Sequence, residues 1–315
     1  MEKRQLGRSN LQVPPLCIGG NVFGWTADES TSFALLDAFF DAGLTFIDTA
    51  DVYSKWVPGH TGGESETIIG KWMKARGNRD RLVIATKVGQ EMPYGKGLSK
   101  PHIRMAVEES LKRLQTDYID LYQSHIDDAG APLEETLHAY AELIQAGKVR
   151  FIGASNYNAE RLSEALDISA RNGLPRYESL QPEYNLYNRA AYEDALEPAC
   201  RDNGIGVIPY YALASGFLTG KYRSEQDFGK SPRGGSMGKY LNARGLRILE
   251  ALDSVAEKHK ATPAQVSLAW LMARPGLTAP IASATTPLQV EDLVASTALQ
   301  LDSSDMEALT RASAT

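Results

Sequence analysis

The chain has 315 residues, 43% of them hydrophobic and 23% charged, which is enough apolar material for a large core and excludes disordered and fibrous classes. A formal net charge of -6 argues against non-specific nucleic-acid binding and leaves a small molecule as the expected partner. No apolar run approaches a membrane span, the start Met1-Glu2-Lys3-Arg4-Gln5 is charged, and Cys17 and Cys200 are the only cysteines, so a reducing cytoplasm without membrane attachment is expected.

Short β-branched or apolar runs alternate with longer amphipathic stretches along the whole chain. A hairpin-like opening, Arg4 to Val13, precedes a first strand at Leu16 to Gly20, a helix over Asp28 to Gly43 and a second strand at Phe46-Ile47-Asp48. The pattern continues as helix Gly63 to Ala75, strand Leu82 to Lys87, helix Lys100 to Leu114, strand Tyr118 to Gln123 and helix Leu133 to Gly147. Strand Val149 to Ser155, helix Ala159 to Asn172, strand Tyr177 to Pro182, helix Tyr192 to Gly204 and strand Ile205 to Tyr210 follow. A long loop, residues 219–240 with a Gly/Ser/Arg-containing body from Thr219 to Gly238, then interrupts the alternation and reads as a lid. Helices Asn242 to Lys258 and Pro263 to Ala273, an eighth strand near Thr278 to Ala284, and helices Pro287 to Ala298 and Ser303 to Ala312 complete the chain.

Eight strands alternating with helices, without a linker, predict one α/β domain over residues 1–315: a (β/α)8 TIM barrel preceded by a β-hairpin. A doubly wound open sheet is the competing architecture. In a parallel barrel the C-terminal strand ends form the active face. Asp48 ends the second strand, Tyr53 lies just beyond it, Lys87 ends the third, and His125 follows the fourth.

An ammonium beside a phenol, whose ordinary pKa is about 10, stabilises the phenolate, so Lys87 is expected to lower the pKa of Tyr53. Asp48 would balance Lys87 in a dry pocket, and His125 would orient a substrate oxygen. This set suits protonation of a carbonyl oxygen while another group attacks its carbon. Each residue alone has a plainer reading, as a cap, a packed aromatic, a solvated lysine or a structural histidine.

The segments Asp48-Thr49-Ala50-Asp51-Val52-Tyr53, Ala85-Thr86-Lys87-Val88-Gly89, Asp117 to His125 and Gly153-Ala154-Ser155-Asn156-Tyr157 resemble the aldo-keto reductases in order and spacing. Tyr210 to Lys221 is similar to a segment of the bacterial members. The resemblance implies a catalytic tetrad at Asp48, Tyr53, Lys87 and His125, with a nicotinamide cofactor handing a hydride to a carbonyl carbon. It also implies cofactor contacts from Ser155, Asn156 and Gln181 at the carboxamide and from Tyr210 at the ring. Leu213, Ser215, Gly216 and Leu218 would lie along the diphosphate, and Ser283, Thr285 and Gln289 near the adenosine. The absence of a G-x-G-x-x-G turn fits this reading better than a Rossmann domain.

One stretch departs from the family pattern: Thr285 and Leu293 occupy positions where the resemblance leads one to expect Arg and Asn. NADP(H) remains the expected cofactor and NAD(H) the alternative, with modest discrimination because a 2′-phosphate would lack a charge-assisted partner. Arg233, Lys239 and Arg244 are the basic residues near the long loop that could supply one. Trp25, Trp56 and Tyr94 are expected to wall the site for a ring-bearing or sugar-like carbonyl or alcohol substrate. A second reading, from a resemblance to potassium-channel β subunits, is a dinucleotide-binding protein of slow turnover; a third is a metal-dependent hydrolase using His125, Asp127 and Asp128.

Overall fold

Eight short parallel strands, each beginning as an apolar run between turn residues, form one sheet in the computed structural model, which describes residues 1–314. In chain order, strands β1 (Arg4–Gln5) and β2 (Gln12–Val13) pair as an antiparallel hairpin. The sheet then takes β3 (Cys17–Gly19), β4 (Phe46–Asp48), β5 (Val83–Val88), β6 (Ile119–Ser124), β7 (Val149–Ser155), β8 (Tyr177–Gln181), β9 (Gly206–Val207) and β10 (Ile281–Ala282). The neighbour order β10-β3-β4-β5-β6-β7-β8-β9 leaves β9 and β10 at the two ends. These ends meet: Thr278 N–H donates to Val207 O at 2.8 Å and Ile281 N–H to Pro209 O at 2.9 Å. Closure makes the (β/α)8 barrel and leaves no sheet edge to protect.

Around it lie helices α1 (Glu29–Asp41), α2 (Glu64–Arg76), α3 (Lys100–Leu114), α4 (Leu133–Gln145), α5 (Ala159–Asn172), α6 (Ala190–Glu193), α7 (Leu196–Asn203), α8 (Ala243–His259), α9 (Pro263–Ala273), α10 (Pro287–Ser296) and α11 (Ser303–Ala312). Their starts follow local chemistry. Asp28 accepts from Thr31 N–H, Asn158 from Arg161 N–H and Thr286 from Gln289 N–H, each satisfying a donor that the first helical turn leaves free. The single helix expected over Tyr192 to Gly204 is instead two, α6 and α7. Pro198 has no N–H to offer Asp194 O, and the chain leaves helical geometry at Ala195, where φ is -134°. The seventh and eighth strands are likewise shorter than their apolar runs, because Pro209 and Pro280 remove donors beside them.

Strand pleating decides what faces the barrel axis. Cys17, Phe46, Ala85, Leu121, Ile208, Ala279 and Ile281 form one buried interior cluster, and Leu6, Leu11 and Val13 from the hairpin plug its lower end. Side chains one position along, such as Ile18, Ile47 and Ile84, face the helices in the main core. Each buried aliphatic side chain contributes about 1.5–3 kcal/mol relative to exposure. Two residues above the interior cluster the same pleat presents Asp48, Lys87 and Gln123, so the apolar layer is the floor of a polar one.

The segment over 219–240 is ordered by two 3-10 turns, Glu225–Lys230 and Gly234–Lys239, rather than being a structureless loop. Tyr222, Met237 and Tyr240 bury their side chains against the barrel, and a Cβ at Gly234 would meet Phe228 O at 1.7 Å. Among the described residues no helix is long and apolar enough to cross a membrane.

Candidate active site

Period-two pleating and barrel stagger bring four strand ends to one point. Asp48 pairs in register with Ala85, Lys87 with Gln123, and Ser155 with Gln181. Lys87 is fully buried and directs its ammonium at three acceptors: Asp48 Oδ2 at 2.6 Å, Thr49 O at 2.8 Å and the Tyr53 hydroxyl oxygen at 2.9 Å. These use all three of its hydrogens. Asp48 is equally buried, and its second oxygen, Oδ1, accepts from Gln181 Nε2 at 2.8 Å and Gln123 Nε2 at 3.0 Å. A buried ion pair is tolerable only when its remaining hydrogen-bonding capacity is met, as it is here.

Tyr53 comes from the loop after β4. Its N–H donates to Ala50 O, its carbonyl accepts from Gly63 N–H, and the next residue, Ser54, adopts a left-handed φ of 71° while its hydroxyl binds Phe23 O at 2.8 Å. The loop is therefore pinned on both sides. The Tyr53 hydroxyl hydrogen has only a 3.4 Å contact with Asp48 Oδ2, at the outer limit of a hydrogen bond, so it is free to turn into the cavity.

Burial first, and then the Asp48 charge, push the Tyr53 phenol well above its ordinary value. This reverses the expected effect of Lys87. With Asp48 only 2.6 Å from the ammonium, the carboxylate charge offsets its field at the phenol, and Lys87 keeps a direct hydrogen bond of 2.9 Å to the phenol oxygen. Burial and the nearby Lys87 hold the His125 imidazole well below the usual histidine range, so it is neutral at pH 7. Its ring is 6.1 Å from that of Tyr53, centroid to centroid, and its Nδ1 is buried without a partner among the described residues.

A cavity of about 470 Å³ opens above this group, within the usual range for a small-molecule site. Asp48, Tyr53, His125, Ser155, Asn156, Gln181, Tyr210, Leu213, Ser215, Gly216, Ser283, Thr285 and Gln289 all contribute to its wall. Asn156 has a left-handed φ of 59° and ties three residues together: its amide donates to His125 O at 2.9 Å and Ser155 Oγ at 3.1 Å and accepts from the Tyr210 hydroxyl at 2.9 Å.

Ala214, Ser215 and Gly216 occupy the left-handed region in succession, with φ of 48°, 57° and 102°. At Gly216 a Cβ would lie 3.7 Å from Nζ of Lys221, which lines the cavity, lies 5.2 Å from the Tyr222 ring centre and makes no ion pair among the described residues. Small residues, strained backbone and an uncommitted cation make a cradle that fits a diphosphate. At the opposite end Thr285 N–H and Oγ1 both bind Gln289 Oε1, while Asp292 also lines the wall and accepts from Thr262 and Gln265. The donor set therefore fits a nicotinamide dinucleotide along its length, and an acid rather than a base accompanies Thr285.

Three residues expected around the cavity, Trp25, Tyr94 and Leu218, are not on its wall. Tyr94 stacks on His102, ring centroids 5.9 Å apart, because Met92 and Gly95 form a tight bridge that turns the loop away from the cavity. Leu218 is buried in the core. Of the aromatic wall, Trp56 lines the cavity and Trp25 supports it edge-on at 5.6 Å.

Arg233 also lines the cavity, its guanidinium 5.1 Å from the Trp25 ring centre. Lys239 instead lies over Tyr240, and Arg244 donates to Ser313 O at 2.8 Å. The proposed hydrolase set does not assemble: Asp127 forks onto Arg161, and Asp128 accepts from Leu98 and Gly130 N–H groups. Sequence reasoning missed Gln123, which shares the Lys87 register and holds Asp48, and Tyr211, which lines the cavity beside Tyr210.

The sequence profile of the Aldo/keto reductase family matches residues 15–314. The uncharacterized oxidoreductase YrpG of Bacillus subtilis is 36% identical over 310 residues, covering 96% of this chain and 93% of the relative. The L-glyceraldehyde 3-phosphate reductase of Escherichia coli is 33% identical over 306 residues, covering 93% and 87%. A probable voltage-gated potassium channel subunit beta of Oryza sativa is 34% identical over 299 residues, covering 92% and 89%.

Proposed function

Because this chain belongs to the aldo/keto reductase family, we propose that it reduces an aldehyde or ketone to an alcohol, or runs the reverse reaction, with Tyr53 as the proton donor and acceptor. NADP(H) or NAD(H) would supply or take the hydride. Ser155, Asn156 and Gln181 would hold its carboxamide, and Tyr210 would lie flat against the ring. Ser215, Gly216, Lys221 and Arg233 would hold its phosphates, and Ser283, Thr285 and Gln289 its adenosine. The segment 219–240, which puts Ser231, Pro232 and Arg233 on the cavity wall, would act as the lid.

The reading is carried by one observation: the Tyr53 oxygen accepts from Lys87 at 2.9 Å while its own hydrogen has no good partner. A carbonyl oxygen entering the cavity supplies that partner. His125, neutral and facing the same space, can donate a second hydrogen bond without losing a charge. As the carbonyl oxygen gathers negative charge it takes the Tyr53 proton, and Lys87 Nζ stabilises the phenolate left behind. Asp48, fixed by Gln123 and Gln181, keeps Lys87 aimed throughout. Both thiols are buried and unpaired, which supports a reducing compartment.

The test is steady-state oxidation of NADPH and NADH with a panel of aldehydes and ketones, run on wild type and Tyr53→Phe. Wild type should turn over, and the variant should lose about 10²–10⁴-fold in kcat while retaining cofactor affinity by fluorescence titration. Turnover retained by Tyr53→Phe would refute the assignment. The name of the rice relative supports a second reading, dinucleotide binding with slow turnover; wild-type rates far below single-turnover rates would favour it.

A further inference from the structure

We propose that Tyr211 sets substrate specificity at the mouth of this cavity, reading a hydroxyl group that the substrate carries next to its reacting carbonyl. The inference rests on the carbonyl reading above and adds the class of compound reduced.

The backbone at Tyr211 is strained. Its φ of 53° lies in the left-handed region, which is unfavourable for a bulky side chain. The conformation is enforced through its carbonyl, which accepts from the Ala214 N–H at 2.7 Å and from Nδ2 of the fully buried Asn185 at 3.0 Å. Ring packing repays that strain only in part, because Tyr211 is 46% exposed. Strain of this kind, maintained without a full packing return, belongs to positions where the side chain has another task.

Where the strained backbone puts the ring identifies that task. Among large apolar and aromatic side chains, the exposed aromatics are Trp56 and Tyr211, and both line this one cavity. The Trp56 ring is 6.1 Å from that of Tyr53, and Tyr211 packs edge-on to Tyr210 at 5.0 Å. Tyr53 and Tyr211 line the same cavity, so a carbonyl bound at Tyr53 shares its space with the Tyr211 ring.

The hydrogen bonds made by Tyr211 run through its backbone, which leaves the hydroxyl free for a ligand. A second polar atom on the same wall, Thr26 Oγ1, is buried with no partner among the described residues. Aromatic plates with uncommitted hydroxyls between them suit a hydroxylated carbonyl compound better than a plain alkyl one.

Matched pairs test this: lactaldehyde against isobutyraldehyde, and hydroxyacetone against butanone, on wild type, Tyr211→Phe and Tyr211→Ala. Wild type should prefer the hydroxylated member. In Tyr211→Phe that preference should fall about three- to tenfold, the worth of one neutral hydrogen bond, with the change in KM rather than kcat. An unchanged ratio in Tyr211→Phe would overturn the proposal.

Tyr211→Gly removes strain and ring together and should leave the Tm equal or higher; a drop of several degrees would assign the ring to packing and also overturn it. If wild type reduces no carbonyl, the oxidoreductase reading fails. Tyr211 is then judged by saturation-transfer NMR of the same pairs on protein mixed with NADP+. Transfer to the hydroxylated member that weakens in Tyr211→Phe supports the proposal, and equal transfer refutes it.

Discussion

Replacing Lys87 by Met keeps much of the stem volume but removes an ammonium that is wholly buried and donates to Asp48, Thr49 and Tyr53. Asp48 Oδ2 is then left with a single 3.4 Å contact from Tyr53. Breaking one side of a buried pair costs about 3–5 kcal/mol, because the surviving charge is uncompensated. Here the amides of Gln123 and Gln181 still hold Oδ1, which places the loss near the lower end, at about 3 kcal/mol.

Adding Asp48→Asn removes the stranded charge, and the double variant should recover about 1–3 kcal/mol of that loss. Urea titration of wild type, the two single variants and the double variant gives the cycle, with the buried Trp72 and Trp270 as fluorescent reporters. A Lys87→Met variant within about 0.5 kcal/mol of wild type, or a double variant no more stable than Lys87→Met, would refute the ion-pair account. Carbonyl reduction should be lost in both Lys87 variants, since neither can stabilise the Tyr53 phenolate.

The pH dependence of kcat for reduction follows from two opposite shifts, Tyr53 raised and His125 lowered. The active form needs a protonated phenol and a neutral imidazole, so the profile should be flat through neutrality and fall only on the alkaline side of the ordinary tyrosine value of about 10. Alcohol oxidation should rise over that same alkaline range, and a reduction limb centred near pH 7 would contradict the scheme.

Asp51 has both carboxylate oxygens buried without partners, and burial together with Glu66 pushes its pKa well up. Above about pH 4 the unfolded chain releases that proton while the folded protein retains it, so stability falls as pH rises. Asp51→Asn should therefore gain in Tm relative to wild type between about pH 4 and pH 8, and a constant difference would refute the shift. Finally, NADP+ and NAD+ should differ by less than about a thousandfold in kcat/KM, and Thr285→Arg should move the ratio toward NADP+ by about ten- to hundredfold. A larger wild-type preference, or no response to Thr285→Arg, would show that another group reads the 2′-phosphate.

The barrel and the meeting of Asp48 with Lys87 were legible because both follow from pleating. Phe46 with Asp48, Ala85 with Lys87 and Leu121 with Gln123 are i and i+2 pairs, an apolar floor and a polar residue above it. The break at Ala195 was also encoded, in Pro198, but the apolar periodicity across it reads as continuous. Tyr94 was not legible. Its direction depends on the bridge between Met92 and Gly95 and on a partner, His102, carried by α3. Gln123 was hidden for another reason: a neutral amide in a strand looks like any polar residue until the carboxylate it holds, 75 positions away, is known.

Asp48, the last residue of β4, and Asp51, three positions on, are both buried, yet their surroundings give them opposite chemistry. Asp48 meets an ammonium, two amides and a distant phenol, all donors, which lets a charge reside beneath the reacting atoms. Asp51 meets Glu66, whose own oxygens are taken by Thr86 and Arg113, and the Val52 N–H and the charges of Arg113 and Lys87 offset its burial only in part. The difference follows from which neighbouring strand or helix each faces, since the side chains themselves are identical. A carboxylate becomes useful to Tyr53 only where β5, β6 and β8 each contribute a donor, and closing a staggered sheet is what brings those three together.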